Sequence, residues 1–169
     1  DTDAVERMKI QYGTSLCYPI SSIGSHVSMV PNHQVYRQTP LHTRANVAYF
    51  GTFGYELDLN KLTEEEIAEV KTHIAFMKQY RRLLQFGKFY RLKSPFAENE
   101  MAWMVVGEDK RTAIVGWYRV LNVVNGRFTR VRLEGLEPEF CYQINADGFG
   151  HYGDELMNLG LCTTDSTAG

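Results

Sequence analysis

Two carboxylates, Asp1 and Asp3, stand two residues apart just ahead of a run with helical apolar spacing. Carboxylates there have two uses. They can cap the free N–H groups of a helix start, where negative charge suits the positive end of the helix dipole. Alternatively, one can serve as a general acid at the mouth of an α/β barrel, where loops leaving strands feed helix N-termini. The local residues leave both readings open. His26 and His33 bracket an expected strand, but no further ligands stand at metal-site spacing, so they read first as structural histidines. His42, His73 and His151 carry no pattern. Cys17, Cys141 and Cys162 form no CxxC pair and have no companion base. Cys17 and Cys141 are expected as small core residues, and the unpaired set fits a reducing, cytoplasmic setting. Gly148-Phe149-Gly150-His151-Tyr152-Gly153 loosely resembles a phosphate loop, but it is expected to precede a strand rather than a helix.

The elements that would position these groups change character near residue 87. Residues 4–12 carry Val5, Met8 and Tyr12 on one helical face, with Gly13 as the expected stop. A loop through Pro19 and Gly24 then leads to a short buried strand over 27–30, and Pro31-Asn32-His33-Gln34 makes a polar exit. Over 41–57 Thr43 is a possible helix cap, but Gly51 and Gly54 interrupt the pattern. Residues 64–86 give the strongest signal. Thr63 and Glu66 form a capping box, apolar residues recur from Ile67 to Leu84, and Gly87 ends the run. Beyond it, strands are expected at Phe89–Leu92, Met101–Val106, Ala113–Val120, Arg127–Leu133 and Phe140–Ile144, with turns at Gly107–Arg111 and Asn125-Gly126. Such a series implies a small antiparallel sandwich.

Composition sets the outer bounds. The 169 residues are 44% hydrophobic and 22% charged, which excludes a disordered chain. A net charge of −2 offers no basic footprint for nucleic acid, and no apolar run is long enough to span a membrane. The chain starts on Asp1-Thr2-Asp3 without an initiator Met, so it is expected to be a piece of something longer.

Several segments together resemble the C-terminal part of the bacterial α-galactosidases of glycoside hydrolase family 36. Asp1-Thr2-Asp3-Ala4-Val5-Glu6-Arg7-Met8 is similar to the family's Ser-Asp-Asp-Thr-Asp-Ala-Ile-Glu-Arg-Leu stretch, and Ile10-Gln11-Tyr12-Gly13-Thr14 follows it as in the family. Tyr18-Pro19, Gly24-Ser25-His26-Val27-Ser28, Val30-Pro31-Asn32-His33-Gln34 and Phe50-Gly51-Thr52-Phe53-Gly54-Tyr55-Glu56 keep the order and spacing. So do Phe89-Tyr90-Arg91-Leu92, Ser94-Pro95-Phe96 and Gly153-Asp154-Glu155-Leu156-Met157-Asn158.

The resemblance implies a fold of α/β plus all-β type: residues 1–86 as the last strand and helices of a (β/α)8 TIM barrel, and residues 88–169 as an antiparallel β-sandwich. It implies a retaining hydrolase that releases terminal α-linked galactose from raffinose, stachyose and melibiose, with no cofactor and no metal. It further implies a homo-oligomer in the full-length protein. Of two carboxylates, one attacks the anomeric carbon while the other protonates the leaving oxygen. The family's nucleophile lies in a Lys-Trp-Asp segment that this sequence lacks. Asp1 matches the second acidic position of the acid/base motif and Asp3 the third; the first would fall one residue before Asp1. That first position is the preferred proton donor of the motif; within these residues Asp1 is the candidate catalytic residue, Asp3 a cap or supporting group, and His26 and His33 candidates for shaping the sugar pocket. The 169 residues alone are expected to lack activity, since a barrel without most of its strands cannot close. The competing reading is a non-catalytic carbohydrate-binding or structural β-sandwich module. A family relative with transferase activity or N-acetylgalactosamine preference is compatible with the same residues.

Overall fold

The computed structural model describes residues 1–126, 128–145 and 148–163. The chain forms two compact units, Asp1–Phe86 and Gly87–Gly169. The first is helical with a parallel strand pair, and the second is built on antiparallel strands.

In the first unit, α1 (Ala4–Thr14) starts on Asp3, whose side chain accepts the Glu6 N–H. Its buried line runs through Ala4, Arg7, Met8 and Gln11, so the inner face carries two long polar side chains, while Val5 and Tyr12 are only half-buried. The helix passes through Gly13 and ends at Thr14, because the Thr14 and Ser15 hydroxyls take up the carbonyls of Ile10 and Tyr12. β1 (His26–Ser28) and β2 (Gly54–Glu56) pair in parallel, His26 opposite Gly54, and α2 (Leu41–Ala48) is the crossover between them. A crossover helix is what a parallel pair demands. Thr43 lies inside α2; Pro40, preorganised for a helix start, precedes it.

The glycines that interrupt the 41–57 pattern mark where this helix stops and β2 begins. A Cβ on Gly51 would lie 2.4 Å from the Ser25 hydroxyl oxygen and 2.8 Å from the Ile23 carbonyl. Only glycine lets the chain return so close to the lead-in of β1, where Thr52 N–H donates to Ile23 O at 2.9 Å. α3 (Glu64–Phe86) opens with the reciprocal capping box: Thr63 N–H donates to Glu66 at 2.9 Å and Glu66 N–H to Thr63 at 3.2 Å. It buries Val70, Met77 and Leu84, and also His73, which lies 3.2 Å from the Tyr55 hydroxyl.

In the second unit, β3 (Lys88–Lys93), β4 (Glu100–Val106) and β5 (Ala113–Arg119) form an antiparallel meander with β4 in the centre. Every residue of β4 is buried. The β4–β5 turn closes through Gly107 N–H to Thr112 O at 2.9 Å, with Lys110 at φ 58°. Ala102, Met104 and Val106 pack with Val131, Leu133, Leu136 and Leu156 into one core. Two short antiparallel pairs complete the described part: β6 (Arg130–Val131) with β9 (Leu161–Cys162), and β7 (Cys141–Gln143) with β8 (Gly150–Tyr152).

Three expectations need correction. Cys17 and Cys141 are exposed, as is Cys162, so none is a core residue. The glycine-rich stretch does run into a helix, α4 (Gly153–Asn158), reached directly from β8. A Cβ on Gly153 would lie 2.0 Å from the Glu137 carbonyl, so that glycine serves a close backbone approach. Finally, the strand expected over Arg127–Leu133 shortens to β6; Phe128 is exposed and Leu133 buried. Arg127 and residues 164–169 of the polar tail lie outside the described residues.

Glu100 joins the meander to the β6–β9 pair. Its carboxylate lies 2.6 Å from Lys93 Nζ and 3.4 Å from Arg119 Nη2, and it accepts from the Thr129 hydroxyl at 2.8 Å. Burial alone would raise its pKa, but the hydrogen bonds from Lys93 and Thr129 and the Lys93 charge outweigh that and hold it at about 2. Because the folded value lies below the ordinary 4.5, this stabilisation is complete above pH 4.5 and is lost as pH falls toward 2. Glu100→Gln is expected to cost the second unit on the order of 2 kcal/mol at neutral pH, and much less at pH near 3. Both tryptophans of the 169-residue chain, Trp103 and Trp117, lie in this unit, so fluorescence-monitored unfolding of that chain reads it selectively.

Candidate functional site

In parallel α/β folds the segments leaving the carboxyl ends of strands build the ligand site. Residues 29–40 leave the carboxyl end of β1 on their way to α2, and they fold back against Asp1–Asp3. The candidate site is that junction.

Asp3 is 3% exposed. Its Oδ2 accepts from Glu6 N–H at 3.1 Å and from Arg37 Nη1, so the carboxylate both caps α1 and forms an ion pair. Asp1 is exposed; its Oδ1 accepts from Asp3 N–H at 2.7 Å and its carbonyl from Arg7 Nη1 at 2.8 Å. The Thr2 hydroxyl between them accepts from Asn32 Nδ2 at 2.8 Å and lies 3.3 Å from His33 Nδ1. His33 is exposed beside the acidic segment.

His26 occupies the start of β1, its Nε2 2.7 Å from Glu56 Oε2 at the end of β2. Burial first, then the Arg7 charge, pushes its pKa below the ordinary 6.5, and Glu56 opposes them. His26 and Arg7 thus share one electrostatic environment with Glu56. Asp1 and Asp3 join Arg7 and the 31–37 segment directly, whereas His26 and His33 make no hydrogen bond to each other. Among the described residues no group of three or more His, Cys, Asp or Glu side chains is arranged to hold a metal ion.

Several residues that set this geometry carry no signal in the sequence pattern. Arg7 and Gln11 are buried although they lie off the Val5, Met8 and Tyr12 face that the sequence marks as apolar. Arg37 is a single cation in a loop, and Asn32 reads only as part of a turn. The available clue is polar residues at buried helical spacing, i and i+4, for Arg7 and Gln11. Arg44 of α2 likewise turns inward and donates to the Ser28 and Thr39 carbonyls, fastening α2 to the end of β1.

Two outcomes follow from these contacts. The His26 ring, followed by NMR, is expected to titrate below 6.5, and Glu56→Gln to lower it further. Since the unfolded chain binds that proton more readily, the His26 contribution to stability is complete above pH 6.5 and declines as pH falls through the folded value. Asp3→Ala removes a cap acceptor and strands Arg37, at an expected cost of about 1–2 kcal/mol; Asp3→Asn, which keeps the acceptor, loses less. Scanning calorimetry of the full-length protein gives the order of the two.

The profile of the Melibiase family matches residues 1–87, and that of the glycosyl hydrolase family 36 C-terminal domain matches residues 100–168. Alpha-galactosidase AgaA of Geobacillus stearothermophilus is 56% identical over 95% of the chain, and alpha-galactosidase Mel36A of Lactobacillus acidophilus 47% identical over 95%. The chain covers 22% of each of those proteins, so it spans about a fifth of their length. The crystal structure of GH36 alpha-galactosidase AgaB from Geobacillus stearothermophilus superposes with a TM-score of 0.94 at 54% identity, over 96% of this chain and 22% of that one. A variant of AgaA in complex with raffinose superposes with a TM-score of 0.93 at 53% identity, over 96% of this chain and 23% of that one. The chain belongs to glycosyl hydrolase family 36, with a melibiase portion followed by the family's C-terminal domain.

Proposed function

We propose that the protein carrying this chain is a retaining α-galactosidase that releases terminal α-linked galactose from oligosaccharides such as raffinose, stachyose and melibiose. The observation that carries the reading is the pairing of the acidic Asp1-Thr2-Asp3 segment with the loop that leaves the carboxyl end of a parallel strand, in a chain 56% identical to an alpha-galactosidase.

Residues 1–86 are read as the end of a (β/α)8 barrel. The parallel β1–β2 pair supports this, because a two-stranded parallel sheet has unpaired edges that further strands must cover. Residues 88–169 are read as the C-terminal antiparallel sandwich, supported by the meander and its shared core. The protein works in the cytoplasm as a homo-oligomer in this reading. Three exposed thiols suit a reducing compartment, and no described helix is long and apolar enough to cross a membrane.

Chemically, the acidic segment supplies the carboxyl that protonates the departing glycosidic oxygen and then activates water, while a carboxylate from elsewhere in the protein attacks the anomeric carbon. Asp1 is the candidate for that group within this chain. Asp3, committed to Arg37 and the α1 N-terminus, holds the segment, and His26 and His33 shape its surroundings.

The test compares the full-length protein with residues 1–169 alone on raffinose and on para-nitrophenyl α-galactoside. The full-length protein is expected to release galactose with α-configuration, seen by NMR of the fresh product, and the 169 residues to show no turnover. Turnover by the 169 residues that Asp1→Ala abolishes would overturn the view that the barrel must be completed, and inversion of configuration would overturn the retaining mechanism.

A further inference from the structure

The loop that meets the acidic segment is closed on itself. Asn32 N–H donates to Arg37 O and Tyr36 N–H to Asn32 O, both at 2.9 Å, so the chain turns back within six residues. Inside the turn, Asn32 Oδ1 accepts from Gln34 N–H and Val35 N–H, each at 2.9 Å. Tyr36 adopts φ 56°, the left-handed conformation the turn needs. Asn32 is 2% exposed, and with its oxygen held inside the loop, its amide group reaches out to Thr2. Arg37, at the other end of the same turn, reaches Asp3. One rigid knuckle therefore grips two of the three residues of the segment, and does so through donors whose acceptors lie on that segment.

We propose that Arg37 and Asn32 are positioning residues that hold the acidic segment at the distance and angle proton transfer requires. This rests on the reading of that segment as the acid/base motif. The Arg37 guanidinium is partly open to solvent while the Asp3 carboxylate beneath it is buried, so Arg37 covers a charge that would otherwise be unpaired. Removing it frees Asp3 to turn toward water and carries the neighbouring backbone with it, since Asp3 N–H is held by Asp1 Oδ1. A shift of about 1 Å in a proton donor costs on the order of 10²-fold in rate.

A misplaced acid harms only those substrates whose leaving group needs a proton. In the full-length protein, Arg37→Met is expected to lower kcat/KM on raffinose by about 10²-fold, yet on dinitrophenyl α-galactoside, whose phenolate leaves unaided, by no more than about threefold. Arg37→Lys, which keeps the charge without the fork, is expected to recover roughly tenfold of the raffinose loss. Thr2→Val removes the acceptor for Asn32 without stranding a charge; it is expected to give the same selective pattern and carries the test if Arg37→Met fails to fold. Equal losses on the two substrates, or no loss on raffinose, would overturn the positioning role. Absence of turnover of either galactoside by the unaltered protein is a different result: it would remove the acid/base reading itself, and the positioning role with it.

Discussion

A buried guanidinium must place its donors on protein acceptors, because no water replaces them. Arg7 is 5% exposed and does so in three directions: to the Asp1 carbonyl, to the Gly24 carbonyl and to the Gln11 side chain. Gln11 extends the network, its amide donating to the carbonyls of Val47 and Phe50 at 3.1 and 3.2 Å. One pair of side chains, a helical turn apart, thus ties the acidic segment, the lead-in to β1 and the end of α2 to the same face of α1. The first unit depends on this link, since its apolar contacts alone carry no direction, whereas each of these hydrogen bonds specifies a particular carbonyl.

The positions of the candidate groups follow from that link. With the Asp1 carbonyl fixed by Arg7, the three residues ahead of α1 can run in only one direction, toward the loop leaving β1. There the Thr2 hydroxyl and the Asp3 carboxylate meet Asn32 and Arg37. Asp3 is consequently a carboxylate with structural duties, and Asp1 the one left facing solvent. Local residues left capping open for both carboxylates, because both stand at the start of the helix; the fold shows Asp3 as the cap.

The second unit uses a related device with the sign reversed. There a buried carboxylate, Glu100, gathers Lys93, Arg119 and Thr129 from separate strands and loops. In both units a charge withdrawn from water is matched to fixed partners, and breaking such a match is costly because one partner remains buried and unpaired. The surrounding cores are ordinary apolar packing; the charged centres decide which segments lie beside which.

Local chemistry was legible in the residues themselves. The capping box of α3, the Asp3 cap and the Gly107–Arg111 turn involve partners within a few positions, so spacing alone encodes them, and β4 and β5 were legible as the strand-like runs on either side of that turn. The motifs also carried the family, because order and spacing survive in the linear chain. Tertiary structure alone decided the rest. Cys17 and Cys141 lie outside the core although their neighbours alternate or repeat, because periodicity does not say which face is covered. The polar faces of Arg7, Gln11, Asn32 and Arg37 find acceptors up to 39 residues away, and such partners have no signature at either end until the chain folds. Sequence by itself determined the long helix α3, the strands of the β3–β5 meander and the kinship; the pairing of the acidic segment with the loop after β1 was decided by where buried donors could find their acceptors.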